Sequence, residues 1–107
     1  MERKIKCPIS KFTSLLGGKW KILILYQLYK NENDKMRFGQ IASKLPISKK
    51  VLTEQLKQLS NDKLILRKQF EVIPPKVEYS LSKKSQNLLD SNFFREIEEW
   101  VLNNFIE

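Results

Sequence analysis

Apolar residues recur at helical spacing in the first part of the chain, which predicts a row of short helices. The first helix begins at Pro8, a position in the first turn where proline is tolerated, and Gly17-Gly18 ends it. A second helix begins near Lys19 and is apolar on nearly all sides. Such a helix is typical of the centre of a small core.

The next two predicted helices are separated by a tight turn. One begins at Phe38 and ends before Pro46, because the residue before a proline disfavours helical backbone angles. Ser48 is a good N-cap for the other, over residues 48–61. This order predicts a helix-turn-helix whose second helix lies in the major groove of DNA. Its inward side is predicted to hold Val51, Leu52, Gln55, Leu56 and Leu59.

The outward side of residues 48–61 is polar and largely basic, with Glu54 as its acidic member. Short polar and basic side chains near the start of a recognition helix reach base edges. The side chains placed for base contacts are Ser48, Lys49, Lys50 and Thr53. Lys57 lies one turn further on and is expected to reach a phosphate. The alternative is an ordinary helix pair whose charged side is simply solvated.

A hairpin and a closing helix complete the predicted order. Residues 64–72 have strand-like composition, and residues 77–81 alternate and predict the return strand. We expect the tip, residues 71–76, to form a wing, with Lys68 and Lys76 beside it reaching the minor groove or the DNA backbone. Residues 36–38 predict one further short strand, and residues 82–105 one last helix. The fold class is therefore α+β, a winged helix-turn-helix with a two- or three-stranded wing.

Charge supports a polyanionic partner. The chain has 107 residues and a formal charge of +8. Residues 90–107 hold five acids and one base, so residues 1–89, with nineteen bases and seven acids, carry +12. A basic body beside an acidic helix suits a protein that binds nucleic acid with one part and another partner with the other. The alternatives are a lysine-rich solubility surface and a winged helix that contacts proteins without binding DNA.

Residue types argue against catalysis. The chain has no histidine and one cysteine, and it contains no glycine-rich phosphate loop. We therefore expect neither an enzyme nor a metal site nor a cofactor. The residues do not decide whether the protein has a small-molecule effector. The length predicts a single domain over residues 1–107.

No apolar run is long enough to cross a membrane. With no signal peptide and no disulfide pair, we expect a cytoplasmic protein.

The last helix has more apolar positions than one core-facing stripe needs. One side is expected to pack on the domain and another on a second copy. The alternative is a helix that wraps only its own core. A two-fold dimer would place its recognition helices about 34–36 Å apart on a palindromic site.

Several short motifs follow one another along this chain. They are Cys7-Pro8-Ile9, Gly17-Gly18-Lys19-Trp20, Met36-Arg37-Phe38, residues 50–56 (KVLTEQL) and residues 74–81 (PPKVEYSL). With these motifs the chain resembles the HxlR-type winged helix-turn-helix regulators from residue 7 to about residue 102. The resemblance implies a homodimeric bacterial transcription factor whose first and last helices form the dimer contact. The family usually has glycine where this chain has Lys63 and Ser85.

Cys7 precedes the first helix, where an N-cap belongs, with Lys4, Lys6 and Lys11 close in sequence. A helix N-terminus and nearby cations stabilise a thiolate, the form that oxidants attack. Some relatives with this Cys-Pro pair use the cysteine to sense oxidants or electrophiles. Cys7 is therefore a redox-sensing candidate, and the alternative is a small buried hydrophobe. With no second cysteine, oxidation would give a Cys7–Cys7 bridge between subunits or an adduct with a small thiol.

Overall fold

The computed structural model describes residues 7–106. Its helices are α1 (Pro8–Leu16), α2 (Lys21–Lys30), α3 (Phe38–Lys44), α4 (Lys49–Asn61), α5 (Lys83–Leu89) and α6 (Phe93–Phe105). Its strands are β1 (Lys35–Met36), β2 (Ile65–Phe70) and β3 (Lys76–Leu81). They form an antiparallel sheet in the order β1-β3-β2. The predicted winged helix-turn-helix is confirmed, with a third strand in the wing sheet.

Two adjacent glycines separate α1 from α2. A Cβ atom at Gly17 would clash with the carbonyl oxygen of Thr13, and Gly18 has φ +86°, a backbone angle that favours glycine. The chain therefore turns sharply, and α2 enters the core. Its side chains Ile24, Leu25 and Leu28 are fully buried.

One stripe of α4 packs against this core. Leu52, Leu56 and Leu59 are at most 2% exposed. The predicted inward side was too wide, because Val51 is 37% exposed and Gln55 is half-buried. The three leucines fill a single stripe at helical spacing, and residues 51 and 55 stand together at its edge.

The end of α4 contains a lysine in a left-handed conformation. Lys63 has φ +58°. Its N–H donates to the carbonyl of Ser60 at 3.0 Å, and the N–H of Leu64 donates to the carbonyl of Leu59 at 2.9 Å. This is the Schellman arrangement, in which glycine is the usual residue at the left-handed position. Lys63 therefore adopts under strain a backbone conformation that the glycine implied there by the resemblance would adopt freely.

The prediction of one closing helix over residues 82–105 is wrong, because the helix ends at Leu89 and resumes at Phe93. Asp90, Ser91 and Asn92 have short polar side chains that compete with helical hydrogen bonds, and the hydroxyl of Ser91 donates to the carbonyl of Leu88. The break lets the start of α6 return to the core. Phe93 contacts Phe12 of α1, and the Phe94 ring lies 4.8 Å from that of Tyr26, edge to face.

Two buried serines at the start of α5 bind the segment that follows α4. The hydroxyls of Ser82 and Ser85 both donate to the carbonyl of Leu64, at 3.1 and 2.7 Å, and the N–H of Ser82 donates to it at 3.2 Å. Ser82 also caps α5 by accepting from the N–H of Ser85. One carbonyl therefore connects the recognition element to the C-terminal helices. No helix within residues 7–106 is long and apolar enough to span a membrane.

Candidate nucleic-acid interface

The start of α4 is presented to solvent. α3 ends at Lys44, and a turn of three residues leads to Ser48, whose Oγ accepts from the N–H of Val51 at 3.1 Å. As the N-cap, Ser48 uses an oxygen lone pair, so its hydroxyl proton remains available to a partner. The predicted recognition side chains Ser48, Lys49, Lys50, Thr53 and Lys57 are all exposed.

Thr53 offers a different chemistry from Ser48. Its Oγ1 donates to the carbonyl of Lys49 at 2.8 Å. Since the hydroxyl proton is used within the helix, the exposed residue offers oxygen lone pairs and a methyl group. Such a side chain can accept from a base amino group or touch the methyl group of thymine.

No ion pair joins the cations of this surface to an acidic side chain among the described residues. Within residues 7–106, the ion pairs are Lys76–Glu78 at 3.5 Å and Arg95–Glu99 at 3.1 Å. Neither involves α4, so Lys49, Lys50 and Lys57 belong to no ion pair, and they outnumber Glu54 on this side of the helix. An uncompensated basic helix side attracts a polyanion.

The two predicted wing lysines lie on one face of the hairpin. In the β2–β3 register Lys68 stands opposite Glu78, and Phe70 stands opposite Lys76. Both ammonium groups lie over the Phe70 ring, 4.9 and 4.8 Å from its centre. Lys68 is exposed, whereas Lys76 is half-buried and belongs to β3, so the tip between the strands is residues 71–75.

Arg67, which the sequence analysis did not single out, lies on the opposite face of the hairpin. This face also holds Ile65 and, across the register, Tyr79, and it packs towards α4. The Arg67 side chain is exposed, and its Nη1 lies 3.5 Å from Oε1 of Gln69. Strand alternation could have found it, because residues 67 and 68 must point to opposite faces.

Cys7 is exposed, so the buried alternative does not hold. It is the N-cap of α1, and its Sγ accepts from the N–H of Ser10 at 3.4 Å. Lys11 is also exposed, whereas Lys4 and Lys6 lie outside the described residues. The thiol therefore faces the N-terminal end of a helix and is open to reagents.

Large exposed apolar side chains lie along α6. Of the thirteen residues of this helix, only Phe94 is buried. Large apolar side chains remain in solvent: Ile97, Trp100, Leu102 and Phe105 on α6, with Ile106 after it and Ile9 on α1. We call these residues the terminal apolar surface. The polar side of α6 holds Arg95, Glu99 and Asn103.

Known proteins are similar to this chain in sequence and in fold. The profile of the HxlR-like helix-turn-helix family matches residues 15–107. The regulatory protein MalR of Fusobacterium mortiferum is 42% identical over 90 residues, which are 83% of each chain.

Solved structures of other proteins have the same fold. A transcriptional regulator of the MarR family from Porphyromonas gingivalis W83 superposes with a TM-score of 0.81 at 34% identity, covering 96% of this chain and 100% of that one. The redox regulator HypR in its oxidised form has a TM-score of 0.77 at 31% identity, covering 92% and 97%. The expectation of a transcriptional regulator rather than an enzyme is thus confirmed. The chain belongs to the HxlR-like helix-turn-helix family of transcriptional regulators.

Proposed function

We propose that this protein regulates transcription as a homodimer that binds a palindromic site in double-stranded DNA. The observation that carries the proposal is the exposed, unpaired basic side of α4 at the end of a helix-turn-helix. A role on DNA agrees with the cytoplasmic location expected from the sequence.

Within α4, the proposed roles follow from position. The side chains nearest the helix start contact base edges: Ser48, Lys49, Lys50 and Thr53. Lys57, two turns into the helix from Lys49, binds a backbone phosphate. On the wing, Lys68 and Lys76 contact the backbone or the minor groove beside residues 71–75.

The homodimer proposal rests on the terminal apolar surface. Trp100 is 60% exposed and Phe105 is 68% exposed, and their rings lie 5.1 Å apart. A soluble monomer rarely leaves such a patch in water. A second copy related by a two-fold axis would cover α6 with the same surface and set two recognition helices on successive turns of one DNA face.

Cys7 is proposed as a redox-sensing residue. Its sulfur is exposed at the start of α1, and α1 packs on α6 through Phe12 and Phe93. HypR, which shares the fold, is described as a redox regulator in an oxidised form. Oxidation at Cys7 would therefore act next to the proposed dimer contact.

Salt dependence tests DNA binding without knowledge of the operator. Binding to random duplex DNA, followed by fluorescence anisotropy, should fall steeply with salt, by about 0.9 in log affinity per log salt for each phosphate neutralised. No binding at low salt would contradict the proposal and favour a winged helix that contacts proteins.

Once the operator is found by footprinting, Lys49→Ala and Lys50→Ala should weaken specific binding more than non-specific binding. Equal losses would assign these lysines to phosphates.

A further inference from the structure

A cleft of about 300 Å³ lies between α4 and the face of the wing that packs towards it. The polar residues that line it are Thr53, Lys57, Ser60, Asn61, Arg67 and Tyr79. Two of these are cations on different elements, one on the helix and one on the wing. No carboxylate is among the lining residues.

We infer that this cleft binds one phosphate of the DNA backbone, held between Arg67 of the wing and Lys57 of α4. The inference rests on the proposed function, because it takes α4 to lie in the major groove. Lys57 stands in the second half of α4, which leaves the groove where the backbone forms its edge. The backbone strand at that edge would run between helix and wing, along the cleft.

The chemistry of the walls favours a phosphate. The Arg67 guanidinium and the Lys57 ammonium are exposed, and neither belongs to an ion pair within residues 7–106. A guanidinium matches two phosphate oxygens at once, and an ammonium adds a compact charge. Ser60 also lines the cleft, and its Oγ is buried without a hydrogen-bond partner among the described residues.

Arg67 faces the cleft, whereas the two wing lysines do not. Lys68 and Lys76 lie over Phe70 on the other hairpin face, so they cannot enter the cleft. Arg67 and Lys57 are therefore expected to act on the same phosphate, whereas Lys68 and Lys57 act on different ones.

The test compares Arg67→Gln, Lys57→Gln and the double variant by the salt dependence of binding to random duplex DNA. Each single variant should bind about fivefold more weakly per protomer, since exposed charge pairs contribute up to that much. The slope of log affinity against log salt should fall by about 0.9 per protomer in the double variant, because one phosphate is lost. Arg67→Lys should keep most of the slope.

Arg95→Gln is the matched control, because it removes the same charge from the polar side of α6, where Arg95 pairs with Glu99. The inference is overturned if Arg67→Gln binds DNA as well as Arg95→Gln does. It is also overturned if the double variant loses about 1.8 in slope per protomer, which would mean two separate phosphates.

Two further outcomes separate the possible sources of failure. If inorganic phosphate raises the melting temperature of the unmodified protein but not of Arg67→Gln, while both bind DNA equally, the cleft holds a free anion and the inference is wrong. If the unmodified protein does not bind duplex DNA at low salt, the proposed function fails and the inference falls with it.

Discussion

The hydroxyl of Ser85 donates to the carbonyl of Leu64 at 2.7 Å across 21 residues of chain, and both groups are buried. Ser82 donates to the same carbonyl through its hydroxyl and its N–H. These three donors join the end of the recognition element to the C-terminal helices.

Removing the Ser85 hydrogen bond should lower stability without touching the DNA surface. We expect Ser85→Ala to reduce the free energy of unfolding by about 1 kcal/mol, because the Leu64 carbonyl keeps two donors. The double variant with Ser82→Ala should lose about 2–3 kcal/mol, since the cap of α5 is lost too. Urea unfolding measures both. Ser43→Ala, at an exposed hydroxyl on α3, is the control and should change little.

Lys63→Gly should stabilise the protein. A non-glycine residue at φ +58° costs about 1–2 kcal/mol of stability. Glycine removes that cost but offsets part of the gain, because it raises the conformational entropy of the unfolded chain. A net increase of about 0.5–1 kcal/mol would raise the melting temperature by about 2–6 °C. Lys63→Ala removes the same charge but keeps the Cβ atom. If it stabilises the protein as much as Lys63→Gly, backbone strain is not the cause.

Substitutions at Ser48 should separate folding from DNA binding. Aspartate caps a helix as well as serine does, so Ser48→Asp should unfold within about 0.5 kcal/mol of the unmodified protein. Its carboxylate would face the DNA, and affinity for duplex DNA at low salt should fall at least about tenfold. Ser48→Ala should do the reverse, losing about 1 kcal/mol of stability with a smaller loss of affinity. Unchanged DNA binding by Ser48→Asp would remove the start of α4 from the interface.

A charge on the terminal apolar surface should prevent dimerisation. Trp100→Glu places a carboxylate where an apolar partner surface is expected, and the variant should sediment as a monomer at concentrations at which the unmodified protein is a dimer. Binding to a palindromic site should weaken more than binding to random DNA. Asn87→Glu adds the same charge at an exposed position on α5 and should remain dimeric. A dimeric Trp100→Glu would place the contact elsewhere.

Oxidation should act through Cys7. Diamide oxidises two thiols to a disulfide and is itself reduced, so treatment should give a species of doubled mass on a non-reducing gel. With an excess of a small thiol, the product should instead be a mixed disulfide on each chain. DNA affinity should change in both cases and recover with dithiothreitol. Cys7→Ser should show neither product nor change, and an affinity change that persists in Cys7→Ser would exclude Cys7 as the sensor.

The recognition helix was predictable because its signals are local. Ser48 caps it and its leucines repeat at helical spacing, so its bounds follow from neighbouring residues alone. Val51 was misplaced because a 3.6-residue period does not say how wide a stripe the core will cover.

Signals that depend on distant parts of the chain were harder to read. Asp90, Ser91 and Asn92 are a local signal for the break between α5 and α6. The direction that α6 then takes depends on Phe93 and Phe94 packing on α1 and α2, which no local pattern contains. Arg67 was overlooked for a similar reason, since its importance comes from the face of the sheet that meets α4. The roles of individual side chains on DNA stay predictions.

Apart from Ser48, the proposed base-contacting residues of α4 support no part of the core, because Lys49, Lys50 and Thr53 all lie in solvent. Mutations there are free of the folding constraints that fix Leu52 and Leu56. A gene duplicate could therefore acquire a new operator through a few changes in one exposed helix turn, while keeping its fold and its stability.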